Sequence, residues 1–205
     1  MTLAAFREER ATQKRRAILD AARALFGSQG LGAVSMATLA AAAGVSTATL
    51  YRHFVAKEDV FACVVDELVA AFTVQTETAT GPDDGLKGLA LRYARLLSDP
   101  VVLGLLRAVI ADRENGTGFR ERLESHGNAI LLKDFETAIS AVFAQGSKPF
   151  PQEALTQAGL ELRGALEHVS LTPGLLFFES PPEGVLERQV ERIVESWRRH
   201  WLEIQ

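Results

Sequence analysis

A single cysteine, Cys63, stands among 205 residues and leaves no second thiol to meet it. An internal disulfide framework and a multi-thiolate metal site are both excluded. Set among Val60, Phe61, Val64 and Val65, Cys63 reads as a small buried hydrophobe rather than a redox sensor. No apolar run approaches the roughly 18 residues of a membrane span, because Arg, Asp or Gly breaks each candidate. The opening MTLAAFREERATQKRR places charge after a few small apolar residues, the reverse of a secretory leader, so a cytoplasmic location is expected. Catalytic signatures are missing as well: there is no G-x-S-x-G elbow, no glycine loop for phosphate and no H-E-x-x-H. His53, His126, His168 and His200 are scattered over distant segments, and His126 beside Glu121 and Glu124 is more simply a solvated or structural residue than a metal ligand. No enzyme, cofactor or metal site is expected. No period-two alternation and no internal repeat is found, so the fold class is all-α.

What is present is 47% hydrophobic residues, enough for one domain or for a small one joined to a larger one. The net charge of -4 argues against a protein that coats nucleic acid through bulk attraction. The charge is uneven, however. Residues 1–60 carry eight Lys/Arg and five Asp/Glu, a net of +3, which leaves -7 for the rest. A basic head on an acidic body fits local phosphate contact by the head and another task for the body.

The head holds the most informative segment, SMATLAAAAGVSTATLYRHFVAKED from Ser35 to Asp59. Ser35 is placed to cap a helix of about Met36 to Ala43. Gly44 is suited to a positive φ that ends it, Val45 to plugging the space between helices, and Ser46 to capping a helix of about Thr47 to Phe54. The pattern is a helix-turn-helix. Leu50 and Phe54, four apart, point to the core and leave Thr47, Thr49, Tyr51 and His53 outward or at the edge. A preceding helix of about Thr12 to Ser28 has an apolar stripe of Ile18, Leu19, Ala22, Leu25 and Phe26, with Gly27 and Gly30 bracketing its end. Ahead of it, Arg7, Arg10 and Lys14 form a flexible basic arm, suited to phosphates or a minor groove.

Beyond residue 56 the helices lengthen. They are expected at about 57–78, 86–98, 100–113, 119–144 and 152–169, with a final helix carrying Leu186, Val190, Ile193, Trp197, Trp201 and Ile204. Ser170 to Pro182, with three prolines, is open to either a short helix or an ordered apolar crossover.

R-x-x-I-L-x-A-A-x-x-L-F-x-x-x-G at Arg15 to Gly30 and A-G-V-S-x-x-T-L-Y-x-H-F-x-x-K-E at Ala43 to Glu58 closely resemble the DNA-binding head of the tetracycline-repressor family of bacterial regulators. The resemblance covers about a quarter of the chain and implies a three-helix head over residues 1–56. It also implies a ligand-binding and dimerisation body of about six helices over 57–205. It further implies a transcriptional regulator, a repressor that binds a palindromic double-stranded operator as a homodimer and is released by a small effector. Carried over by position, Ser35 caps and touches phosphate, Thr47, Ala48 and His53 approach base edges or adjacent backbone, and Thr49, Tyr51 and Lys57 meet phosphate. Ala37 stands where many relatives carry a groove-reading arginine, which shifts specificity toward Arg52, His53, Thr47 and the arm. Ala56 replaces a polar cap.

In the body, Phe72, Tyr93, Leu97, Leu103, Arg107, Ile110, Phe119, Leu123, His126 and Phe135 are the candidate lining of an effector pocket, and their character favours an apolar or aromatic molecule. The dimer is expected on two stripes: Leu155, Ala158, Leu162 and Ala165, then Leu186, Val190, Ile193, Trp197 and Trp201. Two other readings stay open: a constitutive DNA-binding protein whose body only dimerises, and an interaction module that has lost DNA binding.

Overall fold

The computed structural model describes residues 3–74, 82–111, 129–144, 150–177 and 179–203. The secondary structure among the described residues is helical throughout: α1 (Leu3–Ala33), α2 (Met36–Ala42), α3 (Thr47–His53), α4 (Lys57–Val74), α5 (Pro82–Ser98), α6 (Pro100–Ala111), α7 (Ala129–Phe143), α8 (Gln152–Phe177) and α9 (Glu183–Glu203).

Two elements differ from expectation. The basic arm is not an irregular strand of chain, since α1 begins at Leu3. Its residues explain this: LAAFREERATQKRR contains neither Gly nor Pro and is rich in Ala, Arg, Glu, Gln and Lys, the strongest helix formers. The helix passes Gly27 and is interrupted at Gly30, where φ is 77°. The stretch after Val169 also stays helical to Phe177 across Pro173. Proline has no N–H for the Val169 carbonyl, yet Ser170 Oγ donates to the Leu166 carbonyl at 2.6 Å and Leu171 adds its side chain to the core. The expected break at Asn115 to Gly118 and the first half of the helix placed at 119–144 lie outside the described residues.

The chain divides into two compact units, Met1–Leu68 with Gly104–Leu123, and Val69–Leu103 with Glu124–Gln205. The expected boundary between residues 56 and 57 falls at the start of α4, a helix that runs from the first unit into the second. In the first unit Ile18, Leu19, Ala22 and Phe26 of α1 are buried with Leu39, Leu50, Phe54, Val60 and Phe61, and the Phe26 and Phe61 rings lie 5.3 Å apart. Gly104 of α6 meets Gly27 of α1 backbone to backbone. A Cβ at 104 would collide with the Gly27 carbonyl and lie 2.5 Å from its Cα.

The second unit packs α5, α7, α8 and α9 around Leu86, Leu89, Tyr93, Phe135, Ile139, Leu162, Leu166, Leu186, Val190 and Trp197. Much of the expected dimer stripes lies within this core. Ala158, Leu162, Leu186, Val190 and Trp197 are consumed by the chain's own core: Trp197 is 7% exposed, donates Nε1–H to the Ala158 carbonyl at 2.8 Å and stacks on Phe143 at 5.7 Å. Leu155, Ile193 and Trp201 are half-buried against the same core, and only Ala165 of the nine is exposed. Periodicity identified the apolar faces correctly, but four helices of one chain were enough to cover them. Ion pairs from Lys87 to Glu191 and from Arg95 to Glu183 and Glu187 line the α5 to α9 seam.

Candidate nucleic-acid interface

Two short helices are held at a fixed turn by caps at every end. Ser35 has extended backbone, and its Oγ accepts from the Thr38 N–H at 3.1 Å while lying 2.8 Å from Thr38 Oγ1. Ser46 repeats the arrangement on α3 with Thr49, at 3.1 Å and 2.9 Å. Each serine thereby satisfies one of the orphan N–H groups of a first turn. Between them Gly44 takes φ 64°, its N–H donating to the Ala41 carbonyl at 3.2 Å and that of Val45 to the Ala40 carbonyl at 3.0 Å. This pair of bonds is the Schellman closure, which needs a left-handed residue and so favours glycine. Leu39, Ala40 and Leu50 anchor the two helices from beneath.

What α3 turns outward is Thr47, Ala48, Tyr51 and Arg52, whose spacing of one, four and five places them on one face. Tyr51 is 56% exposed. Ser35 is exposed beside them on α2, as is Ala37. Thr49 is half-buried with its hydroxyl engaged by Ser46, so capping occupies at least part of it. Thr38 was not among the candidate contacts, yet it is exposed at the first turn of α2 and engaged with Ser35. The signal for it was the repeated S-x-x-T at 35–38 and 46–49.

His53 is half-buried, and its Nε2 is shielded from solvent without a hydrogen-bond partner. Burial, and then the charges of Arg52, Arg15 and Lys14, hold its pKa below the usual 6.5, so the ring is neutral at pH 7. Arg15 links this edge to the core: its guanidinium lies over the Phe54 ring at 5.2 Å and reaches Cys63 Sγ at 3.1 Å. Cys63 is accordingly half-buried rather than sealed in apolar surroundings as expected.

Lys57 opens α4, and its Nζ donates to the Leu31 carbonyl at 2.9 Å, tying the end of α1 to the start of α4. Ala56 cannot cap that helix by its side chain. Asp59 compensates, accepting the Ala56 N–H at 3.0 Å in the return half of a capping box.

Six of the ten candidate effector residues have described side chains. Tyr93 and Phe135 meet edge to face at 5.2 Å in the core of the second unit, and Leu97 is buried with them. Leu103 packs on Gly174. Arg107 is half-buried, while Ile110 is 65% exposed. Phe119, Leu123, His126 and the side chain of Phe72 lie outside the described residues. No sequence motif marks what surrounds Tyr93. Its hydroxyl donates to Glu167 Oε1 at 2.6 Å and accepts from Arg163 Nη2 at 3.3 Å, and the same Arg163 nitrogen bonds Glu167 at 3.3 Å. Burial first, then the Glu167 bond, raise the Tyr93 pKa far above its usual value, so it stays protonated.

A capped helix-turn-helix showing hydroxyls, a methyl and a guanidinium on one face, beside a cationic edge, defines a DNA-binding regulator. Residues 18–64 match the family model described as bacterial regulatory proteins, tetR family. Over that segment the chain is similar to the DNA-binding heads of transcription factors of this family. Its fold is similar to that of a protein from Mesorhizobium loti assigned to the same family, with 27% identity over 92% of this chain and 96% of that one and a TM-score of 0.74. A tetR-family regulator from Pseudomonas syringae pv. tomato is 26% identical over 91% and 95%, with a TM-score of 0.63. The regulator FadR from Bacillus subtilis, solved in complex with stearoyl-CoA, shares the fold at 15% identity over 87% and 97%, with a TM-score of 0.68. Among curated proteins none matches the chain significantly. No described helix is long and apolar enough to cross a membrane.

Proposed function

We propose that the chain is a ligand-responsive repressor that binds a palindromic operator as a homodimer and leaves it when a small, mainly apolar effector enters the body. The observation that carries this reading is the outward face of α3, where Thr47, Ala48 and Arg52 are free to meet base edges while Tyr51 is exposed beside them for phosphate. Functionally, residues 1–56 act as the reader and 57–205 as the sensor and dimerisation body.

For the dimer, the buried stripes leave a different surface available. Gln157, Leu160, Gly164 and His168 recur along the outside of α8, Leu160 is 51% exposed, and a Cβ on Gly164 would meet nothing within 4 Å. Two copies pairing there would bring α8 helices close at a small residue, which suits the two-fold symmetry of a palindrome. The effector shifts the population between dimers whose two α3 helices match the roughly 34–36 Å groove repeat and dimers that miss it. An acyl or aromatic effector is supported by the apolar core of the second unit and by the stearoyl-CoA bound to the Bacillus subtilis relative. The test is electrophoretic mobility on duplexes from the promoter beside the chain's own gene, titrated with stearoyl-CoA, stearic acid and a flavonoid. Release by any of these supports the sensor role. Tight binding that none of them alters favours a constitutive DNA-binding protein.

A further inference from the structure

We propose that the first turns of α1 form a second, sequence-independent DNA contact, in which Arg7, Arg10 and Lys14 follow the phosphates of the duplex flanking the site read by α3. The inference rests on the DNA-binding reading and adds a surface to it.

The helical state of this segment decides what it can do. A helix with side chains is about 10–12 Å across and cannot enter a minor groove about 6 Å wide, so the role open to an irregular arm is closed to it. The backbone outside the grooves remains. At about 100° per residue, Arg7, Arg10 and Lys14 fall within roughly 60° of one another on the helix surface, whereas Glu8 and Glu9 lie on other arcs. The segment is therefore cationic on one side despite its two acids. All five of these charged side chains are exposed, and none of the three cations has an ion-pair partner among the described residues. Arg10 instead lies over the exposed Phe6 ring at 5.4 Å. From Arg7 to Lys14 the helix rises about 10 Å, a length over which a duplex presents about six phosphate charges.

Continuity with the reading face gives the stripe its partner. Lys14 ends the stripe close enough to His53, at the end of α3, for its charge to act on that ring, and Arg15 beside it rests on Phe54. Arg52, Lys14, Arg10 and Arg7, with the neutral His53 ring between the first two, then make one cationic track leading outward from the recognition helix.

The experiment measures the salt dependence of the full-length chain binding a fluorescein-labelled 30-base-pair duplex of mixed sequence, by anisotropy between about 50 and 200 mM KCl. Replacing Arg7→Gln and Arg10→Gln together is expected to make the slope of log affinity against log salt shallower by about 1.8, so that the loss of affinity across that range shrinks roughly tenfold. Arg7→Lys with Arg10→Lys is expected to keep the wild-type slope, because a phosphate accepts either cation. Glu8→Gln with Glu9→Gln is expected to leave it unchanged. Unchanged slope in the Gln pair, failure of the Lys pair to keep it, or an equal and opposite change in the Glu pair would overturn the inference, the last by showing that net charge alone acts. A wild-type chain that binds no duplex would overturn the regulator reading too, a result distinct from the others.

Discussion

At the scale of single residues, the reading face is defined as much by side chains that are engaged as by those that are free. Lys57 was expected on phosphate, and its ammonium instead holds the Leu31 carbonyl. Lys57→Met is therefore expected to lower the stability of the chain by about 0.5–1.5 kcal/mol, the usual net contribution of one hydrogen bond, since the Val34 N–H still reaches that carbonyl, while changing the salt slope of DNA binding by less than one phosphate. Thermal melting and anisotropy together check it; an unaltered melt with a slope one unit shallower would return Lys57 to the phosphate contacts. His53 gives a pH signature. Its folded-state pKa is lowered, first by burial and then by Arg52, Arg15 and Lys14, so below its ordinary 6.5 the unfolded chain takes up a proton that the folded one resists. Stability is then full above about pH 6.5 and falls as pH drops from there toward the lowered value. His53→Gln is expected to flatten that part of the melting temperature's pH profile, and an identical profile in the variant would remove His53 as its source.

At the scale of elements, most helices of the head were legible because their signals are local. Serine caps, a glycine in the left-handed region and apolar residues three and four apart each act within one turn. The extent of α1 and of α8 was harder to read. Basic residues suggested an arm where helix propensity prevailed, and Pro173 suggested a stop that burial in the core outweighed. Which glycine is structural was equally hidden, because Gly27 and Gly104 lie 77 residues apart and only the crossing of α1 and α6 brings them together. Gly104→Ala would push a methyl into backbone rather than a flexible side chain. A loss of about 1–3 kcal/mol in denaturant unfolding is expected, with a neutral result showing that the two helices separate at little cost.

At the scale of the whole molecule, the sequence pattern revealed apolar faces without revealing what would cover them. Trp197 and Trp201 looked like an interface because a stripe says nothing about its partner; in the fold Trp197 is bonded to Ala158 and Trp201 Nε1 to Glu161 at 3.0 Å. The candidate pocket had the same ambiguity, since Tyr93 and Phe135 have the character of ligand contacts and of core alike. Dimer and core now separate by experiment. Leu160→Glu on the exposed face of α8 is expected to shift sedimentation at micromolar concentration from dimer to monomer with the melting temperature nearly kept, whereas Trp197→Ala is expected to cost about 3–5 kcal/mol of folding stability. A Leu160→Glu variant that stays dimeric would move the proposed seam elsewhere.

On the proposed reading, the outward face of α3 reads duplex DNA in two-fold pairs. Selection of bound duplexes from a random-sequence library by the full-length chain, repeated with Thr47→Ala and Arg52→Ala, measures this most directly. An inverted repeat is expected whose half-sites lie about one helical turn, or a multiple of it, apart, with the preferred bases altered in both variants and the spacing kept. Enrichment of no sequence, or of the same sequence in all three proteins, would contradict it.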